Sequence, residues 1–140
     1  MDHRRIAPPL LGQRHALGHD AIDVDHFAIA DCWMRAMESA PIALPWHIAR
    51  LRKRMRDHFT NEAALVEAAG VPFCHCHHAE HDAMLAVCDD AYGLAERNPR
   101  AARGLLRRAL PPLVRSHVIG MDQIAVLIIH SATPAHAALM

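Results

Sequence analysis

The stretch from His58 to His81, HFTNEAALVEAAGVPFCHCHHAEH, carries two pairs of metal-ligand-type residues on either side of a helix stop. His58 and Glu62 are four residues apart, and so are His77 and His81. In an α-helix, residues i and i+4 lie on one face a turn apart, so each pair aims two donor groups at one place. Gly70 and Pro72 end a helix and turn the chain between the pairs. The arrangement predicts two antiparallel helices offering their pairs to a shared interior site.

Apolar spacing extends this pattern along the chain. Ile22, His26, Ile29, Trp33 and Met37 recur three and four apart and predict one buried helix face starting near Asp20. Pro41 and Pro45 break the chain, and Pro45 suits the first turn of a second helix. Its face reads Ile48, Leu51, Met55, His58, Glu62, Leu65 and Ala69. A glutamate on an apolar seam is costly unless its charge is paired or metal-bound. The other face of that helix, Arg50, Arg52, Lys53, Arg54, Arg56 and Asp57, reads as solvated, because no aromatic residues interleave the cations as in a nucleic-acid surface.

Val71 to Cys76 form the turn into a third helix, with the seam His77, His81, Met84, Cys88, Ala91 and Ala95. Asn98 and Pro99 supply the cap and first residue of the next helix. Pro111 and Pro112 should interrupt or kink it. The pattern then resumes as Leu113, His117, Met121, Ile124 and Ile128, with Pro134 beyond the last turn. Four main helices with short connections predict an all-α fold, an up-down-up-down four-helix bundle. Residues 1–18 form an extended N-terminal arm, 19–131 the bundle and 132–140 a frayed C-terminal tail.

Composition narrows the function. The formal net charge is zero with histidine neutral, which gives no global attraction to nucleic acid. No stretch is expected to approach the roughly 18 apolar residues of a membrane span, and the N-terminus lacks a signal-peptide pattern. The expectation is a cytoplasmic protein with reduced thiols, interacting with neither membrane nor nucleic acid. Histidine is the outlier, at 13 of 140 residues. Every seam carries some of these: His26 on the first, His58 with Glu62 on the second, His77 and His81 on the third, and His117 on the fourth, with Asp122 five residues on. Five imidazoles and two carboxylates are too many donors for one metal and suit two, the carboxylates bridging. Imidazole mixed with carboxylate suits iron, manganese or zinc. His117 and Asp122 would sit about 140° apart on an ideal helix. A loosened or π-like turn around Gly120 is therefore expected to bring Asp122 to the site.

At IDVDH (22–26), HFTNE (58–62), GVPFCHCHHAEH (70–81) and HVIGMD (117–122) the sequence resembles the hemerythrin and bacteriohemerythrin family, from about Leu17 to Ile128. The resemblance implies two non-haem iron ions with a bridging oxo or hydroxo group. One iron would be held by His77, His81 and His117, the other by His26 and His58, with Glu62 and Asp122 bridging. It implies reversible dioxygen binding at the open position of the second iron, by an oxygen carrier, store or scavenger rather than an enzyme. An electron donor would re-reduce the centre. Three positions depart from the family: Leu11 falls near an arm aromatic, Asp25 replaces a glutamine common in bacterial members, and Arg54 replaces a tyrosine.

Other readings stay open on the residues alone. The bundle also suits a di-iron redox enzyme, a peroxidase or nitric-oxide-linked protein, although no substrate channel or electron partner is legible. It also suits a module sensing oxygen, redox state or iron, although 140 residues leave little room for a signalling domain. The Cys74-His75-Cys76-His77-His78 run offers soft donors for zinc or copper, or a redox sensor. It lacks the two-residue spacer of a structural zinc site. Cys32 and Cys88 read as buried thiols, and Trp33 and Met37 as core. His3, His15, His19, His47, His130 and His136 read as surface residues.

Overall fold

The computed structural model describes residues 10–11 and 15–139, with side chains as far as Ala132. Helix α1 spans Asp20–Glu38, α2 Leu44–Ala68, α3 His75–Ala95, α4 Pro99–Arg108, α5 Leu110–His117 and α6 Gln123–Leu139. A short 3₁₀ turn, Pro41–Ala43, precedes α2, and a π turn, Val118–Asp122, joins α5 to α6. The segments α4, α5, the π turn and α6 together act as the fourth helix of an antiparallel bundle. In it α1 packs on α2, α2 on α3, α3 on α4 and α5, and the ends close through α1–α4 and α2–α6 contacts. No strand occurs among the described residues.

Local chemistry explains where the helices stop and start. The His19 imidazole accepts a hydrogen bond from the Ile22 amide at 3.3 Å and caps α1. Asn98 Oδ1 accepts from the Ala101 amide at 3.1 Å, with Pro99 in the first turn of α4 as expected. Gly70 closes α2 in the left-handed region at φ 87°, a conformation that disfavours a side chain. Its amide donates to the Glu67 carbonyl at 2.9 Å. The Arg103 guanidinium donates to the carbonyls of Ala36 and Met37, each at 2.9 Å, and to that of Ser39, placing a cation at the carboxyl end of α1.

The first and third seams are buried as read: Ile22, His26, Ile29, Trp33 and Met37 on α1, and His77, His81, Met84, Cys88, Ala91 and Ala95 on α3. Trp33 is fully enclosed and its indole N–H donates to the Leu106 carbonyl at 3.0 Å, satisfying its polar edge. The second seam holds to Glu62 and then turns, so that Val66 is buried while Leu65 and Ala69 are only partly covered. Pro111 and Pro112 act in the first turn of α5, where a missing amide costs least, and the helical break falls just before them at Ala109.

The fourth seam is corrected. The buried residues are Leu110, Pro111, Val114, His117, Val118, Asp122, Ala125, Val126 and Ile129. Leu113 and Ile124 are exposed, and Met121 and Ile128 half-buried. The reading through Leu113 assumed an uninterrupted run after the prolines. The π turn then adds a residue and shifts the inward face beyond it. Two further expectations change. The run Pro99–Ala132, taken as one helix across its break and π turn, has an 18-residue window of mean hydropathy 1.4, long and apolar enough to cross a membrane by length and composition, although here it is part of the bundle. α6 also runs through Pro134 to Leu139, across the stretch read as a tail.

The arm lies partly on the bundle. Leu10 and Leu11 are buried, and the Leu10 carbonyl accepts from Arg115 Nε at 3.0 Å. His15, read as a surface residue, is buried because this segment folds against the helices. His47 is half-buried and His130 exposed. The readings of His3 and of the His136 side chain lie outside the described residues. The register shift has a direct test. Val126→Ala should cost about 2 kcal/mol in urea denaturation, whereas the larger truncation Ile124→Ala should stay within about 0.5 kcal/mol of the parent.

Candidate metal centre

Glu62 and Asp122 are carboxylates with almost no solvent exposure, 0% and 1%. Charged groups survive burial only beside compensating groups. α2 carries Glu62 inward on the same face as His58. The π turn carries Asp122 inward although His117, five residues earlier, also faces the core.

The seven residues singled out in the sequence meet here. Glu62, His77, His81, His117 and Asp122 form one group whose donor atoms lie within 4.8 Å of one another. His26, His58, Glu62 and Asp122 form a second, sharing both carboxylates with the first. Each carboxylate turns one oxygen to each group. Glu62 Oε1 lies 2.7 Å from His77 Nε2 and Oε2 lies 3.2 Å from His58 Nε2. Asp122 Oδ1 lies 2.8 Å from His117 Nε2 and 3.0 Å from His77 Nε2, and Oδ2 lies 3.0 Å from His26 Nε2.

All five imidazoles point Nε2 into this space. The Nε2–Nε2 separations are 3.1 Å for His26–His58, 3.2 Å for His77–His117 and 3.0 Å for His81–His117. A neutral imidazole has one proton to donate, so such a cluster cannot hydrogen-bond itself completely. Despite the short distances, no described residue gives either Glu62 oxygen a hydrogen bond of acceptable geometry. Lone pairs facing one another across a buried gap fit cations. Imidazole with carboxylate fits iron among the metals with this ligand preference.

The imidazoles are braced from behind. His58 Nδ1 donates to Asp25 Oδ2 at 2.9 Å, and His117 Nδ1 approaches Glu80 Oε2 at 3.4 Å. Phe59 stacks on His81 with ring centroids 3.8 Å apart, and Phe73 stacks on His77 at 4.2 Å. The sequence reading passed over Phe59, Phe73 and Glu80. Phe73 stands four residues before His77 and Phe59 directly after His58, which was the available signal. A cavity of about 20 Å³ adjoins the cluster, lined by His26, His58, His117 and Asp122 on one side and by Leu11, Ile29, Met55, Phe59, Met84, Val114 and Val118 on the other. Leu11 thus brings the arm to the site.

Outside this cluster, Cys74, Cys76, His75 and His78 are exposed, and Cys32 is half-buried. Burial pushes the Cys88 thiol up to about 12, as suits an inert core thiol. The basic face of α2 is engaged in surface pairs, Arg52 with Asp89 at 2.5 Å and Lys53 with Asp57 at 2.6 Å.

Protonation in the metal-free state follows from these contacts. Burial opposes a charge on His77, but Asp122 and Glu62 outweigh it and raise its pKa to about 9. For His81, burial and then the neighbouring His117 and His77 lower it to about 2. Burial works against the Asp122 carboxylate too, yet His117, His26 and His77 hold it well below the usual range. The unfolded chain binds a proton at His81 near the ordinary value of about 6.5 while the folded chain does not, so stability rises with pH up to there. His77 has the opposite sign and loses stability from about 6.5 towards 9. Denaturation of metal-free protein should therefore show stability climbing between about pH 4 and 6.5 and declining above, with His81→Phe flattening the acid limb.

Comparison with known proteins finds a relative over most of the chain. A bacteriohemerythrin of Ralstonia nicotianae is 30% identical over 107 residues, which is 76% of this chain and 78% of that protein. No family model matches the chain, and no solved structure matches it. Similarity over most of both lengths, carried on a four-helix bundle with a buried histidine and carboxylate cluster, means that the chain belongs to the hemerythrin family.

Proposed function

We propose that the protein binds dioxygen reversibly at a non-haem di-iron centre held by His26, His58, Glu62, His77, His81, His117 and Asp122, as a carrier, store or scavenger. The observation that carries this reading is the asymmetry of the two donor groups. Both share Glu62 and Asp122, but one adds three imidazoles and the other two. The second metal position would then have a site open to a small ligand, and the cavity reaches both of its imidazoles. On this measure about 20 Å³ holds roughly one water-sized molecule.

Iron, when bound, would supply reversible electron transfer to dioxygen. The protein's part is to hold and shield. Glu62 and Asp122 would bridge, one oxygen to each ion, and their two negative charges would offset part of the metal charge. The five imidazoles stay neutral as ligands. Met55, Met84, Ile29, Val114, Val118 and Leu11 give the cavity a largely apolar wall, which disfavours water and supports reversible binding over hydrolytic or oxidative turnover.

The test is the absorption spectrum of iron-loaded, anaerobically reduced protein before and after oxygen is admitted. Visible charge-transfer bands should appear promptly and vanish when oxygen is removed. Irreversible conversion to an oxidised spectrum would point to a redox enzyme or sensor instead. Glu62→Ala should lose the two-iron loading, whereas His75→Ala, exposed and outside the cluster, should keep both iron and oxygen-dependent bands. Loss in His75→Ala with retention in His77→Ala would overturn the ligand assignment.

A further inference from the structure

Two charged residues connect the site to solvent on the side of His26 and His58. Asp25 Oδ2 accepts from His58 Nδ1 at 2.9 Å, and its other oxygen, Oδ1, lies 3.5 Å from Arg54 Nη2. The chain Arg54–Asp25–His58 thus runs from a side chain 44% exposed, through one 25% exposed, to one that is buried. Asp25 also lines an open cleft of about 580 Å³ between α1 and α2 that reaches His58 and Glu62. Neither His26 nor His117 is held in this way. Among the described residues His26 Nδ1 has no hydrogen-bond partner, and the Glu80 contact to His117 is longer, at 3.4 Å.

An ionised carboxylate can only accept, so Asp25 fixes the proton of His58 on Nδ1 and leaves Nε2 as the inward lone pair. A carboxylate in that position also draws the Nδ1 proton towards itself and makes Nε2 a stronger donor. A stronger donor favours the higher oxidation state of a bound metal. Arg54 works against this by drawing the charge of Asp25 outward.

We propose that Asp25 is a positioning residue that tunes the metal held by His26 and His58, and that Arg54 sets the strength of that tuning. The proposal rests on the reading that this half of the cluster holds iron. Asp25 and Arg54 have opposite effects on the reduction potential, and Arg54 acts only through Asp25. Since the pair is partly exposed, salt weakens it and moves the parent protein towards the behaviour of a chain without Arg54.

The experiment uses iron-loaded parent, Asp25→Asn, Arg54→Met, Arg54→Lys and the Asp25→Asn/Arg54→Met double variant. It measures iron per chain, far-UV circular dichroism and reduction potential at low and high salt. Asp25→Asn should raise the potential and Arg54→Met should lower it. Each shift should be about tenfold in the oxidised-to-reduced ratio at fixed poise, about 59 mV for a one-electron step. Arg54→Lys should keep the parent value, the double variant should match Asp25→Asn, and salt should move the parent but not Arg54→Met. Shifts of the same sign, additive shifts or no shift in folded, iron-replete variants would overturn this proposal alone. A parent chain that takes up no iron would overturn the functional reading with it.

Discussion

The closeness of two buried carboxylates to five imidazole nitrogens is the constraint on which the rest of the structure depends. An unpaired carboxylate at the centre of a small bundle costs several kcal/mol. Here Glu62 and Asp122 are both enclosed, and among the described residues Glu62 lacks well-formed hydrogen bonds. A fold that accepts this has a centre built around positive charge. Every helix contributes: α1 brings one imidazole, α2 an imidazole and a carboxylate, α3 two imidazoles, and the fourth helix one of each. The apolar core on either side keeps these donors in place. Trp33, Leu51, Leu106 and Leu110 fill one end, and Ile22, Val66 and Ile129 the other.

The geometry around the centre divides labour by distance. Nitrogens and oxygens facing inward define what can be bound. The aromatic faces of Phe59 and Phe73 restrict how His81 and His77 can turn. The arm adds Leu11, a residue far in sequence from the helices it touches. The surface enters the electrostatics where Asp25 reaches inward to His58.

How much of this was legible in the sequence depended on whether the information was local. Every position read on the α1 and α3 seams is buried, with Ala36 the one buried α1 residue the spacing left out, because an uninterrupted helix converts spacing directly into direction. The His58/Glu62 and His77/His81 pairs were legible for the same reason, and the Asn98–Pro99 start because cap chemistry is local. Asp122 was placed only by requiring an irregular turn. The consequence of that turn was then not carried on, so Ile124 was read as inward when Ala125 and Val126 are the buried residues. His15 and Leu11 depend on how the arm folds back, which periodicity does not encode. Asp25 and Arg54 were noticed as departures, but their contact spans 29 residues and needed the packing of α1 against α2 to appear.

The π turn at Val118–Asp122 gives the fourth helix an asymmetric tolerance of changes in length. Losing one residue from it would let an ordinary α-helix run straight through and leave the carboxylate four residues after His117, about 40° away and still on the inward face. Gaining one helical residue between His117 and Asp122 would instead turn the carboxylate about 100° away from the centre. A single-residue insertion here therefore lets a chain keep its shape and lose its site, so that an apparently neutral length change separates descendants that hold metal from those that keep only the bundle.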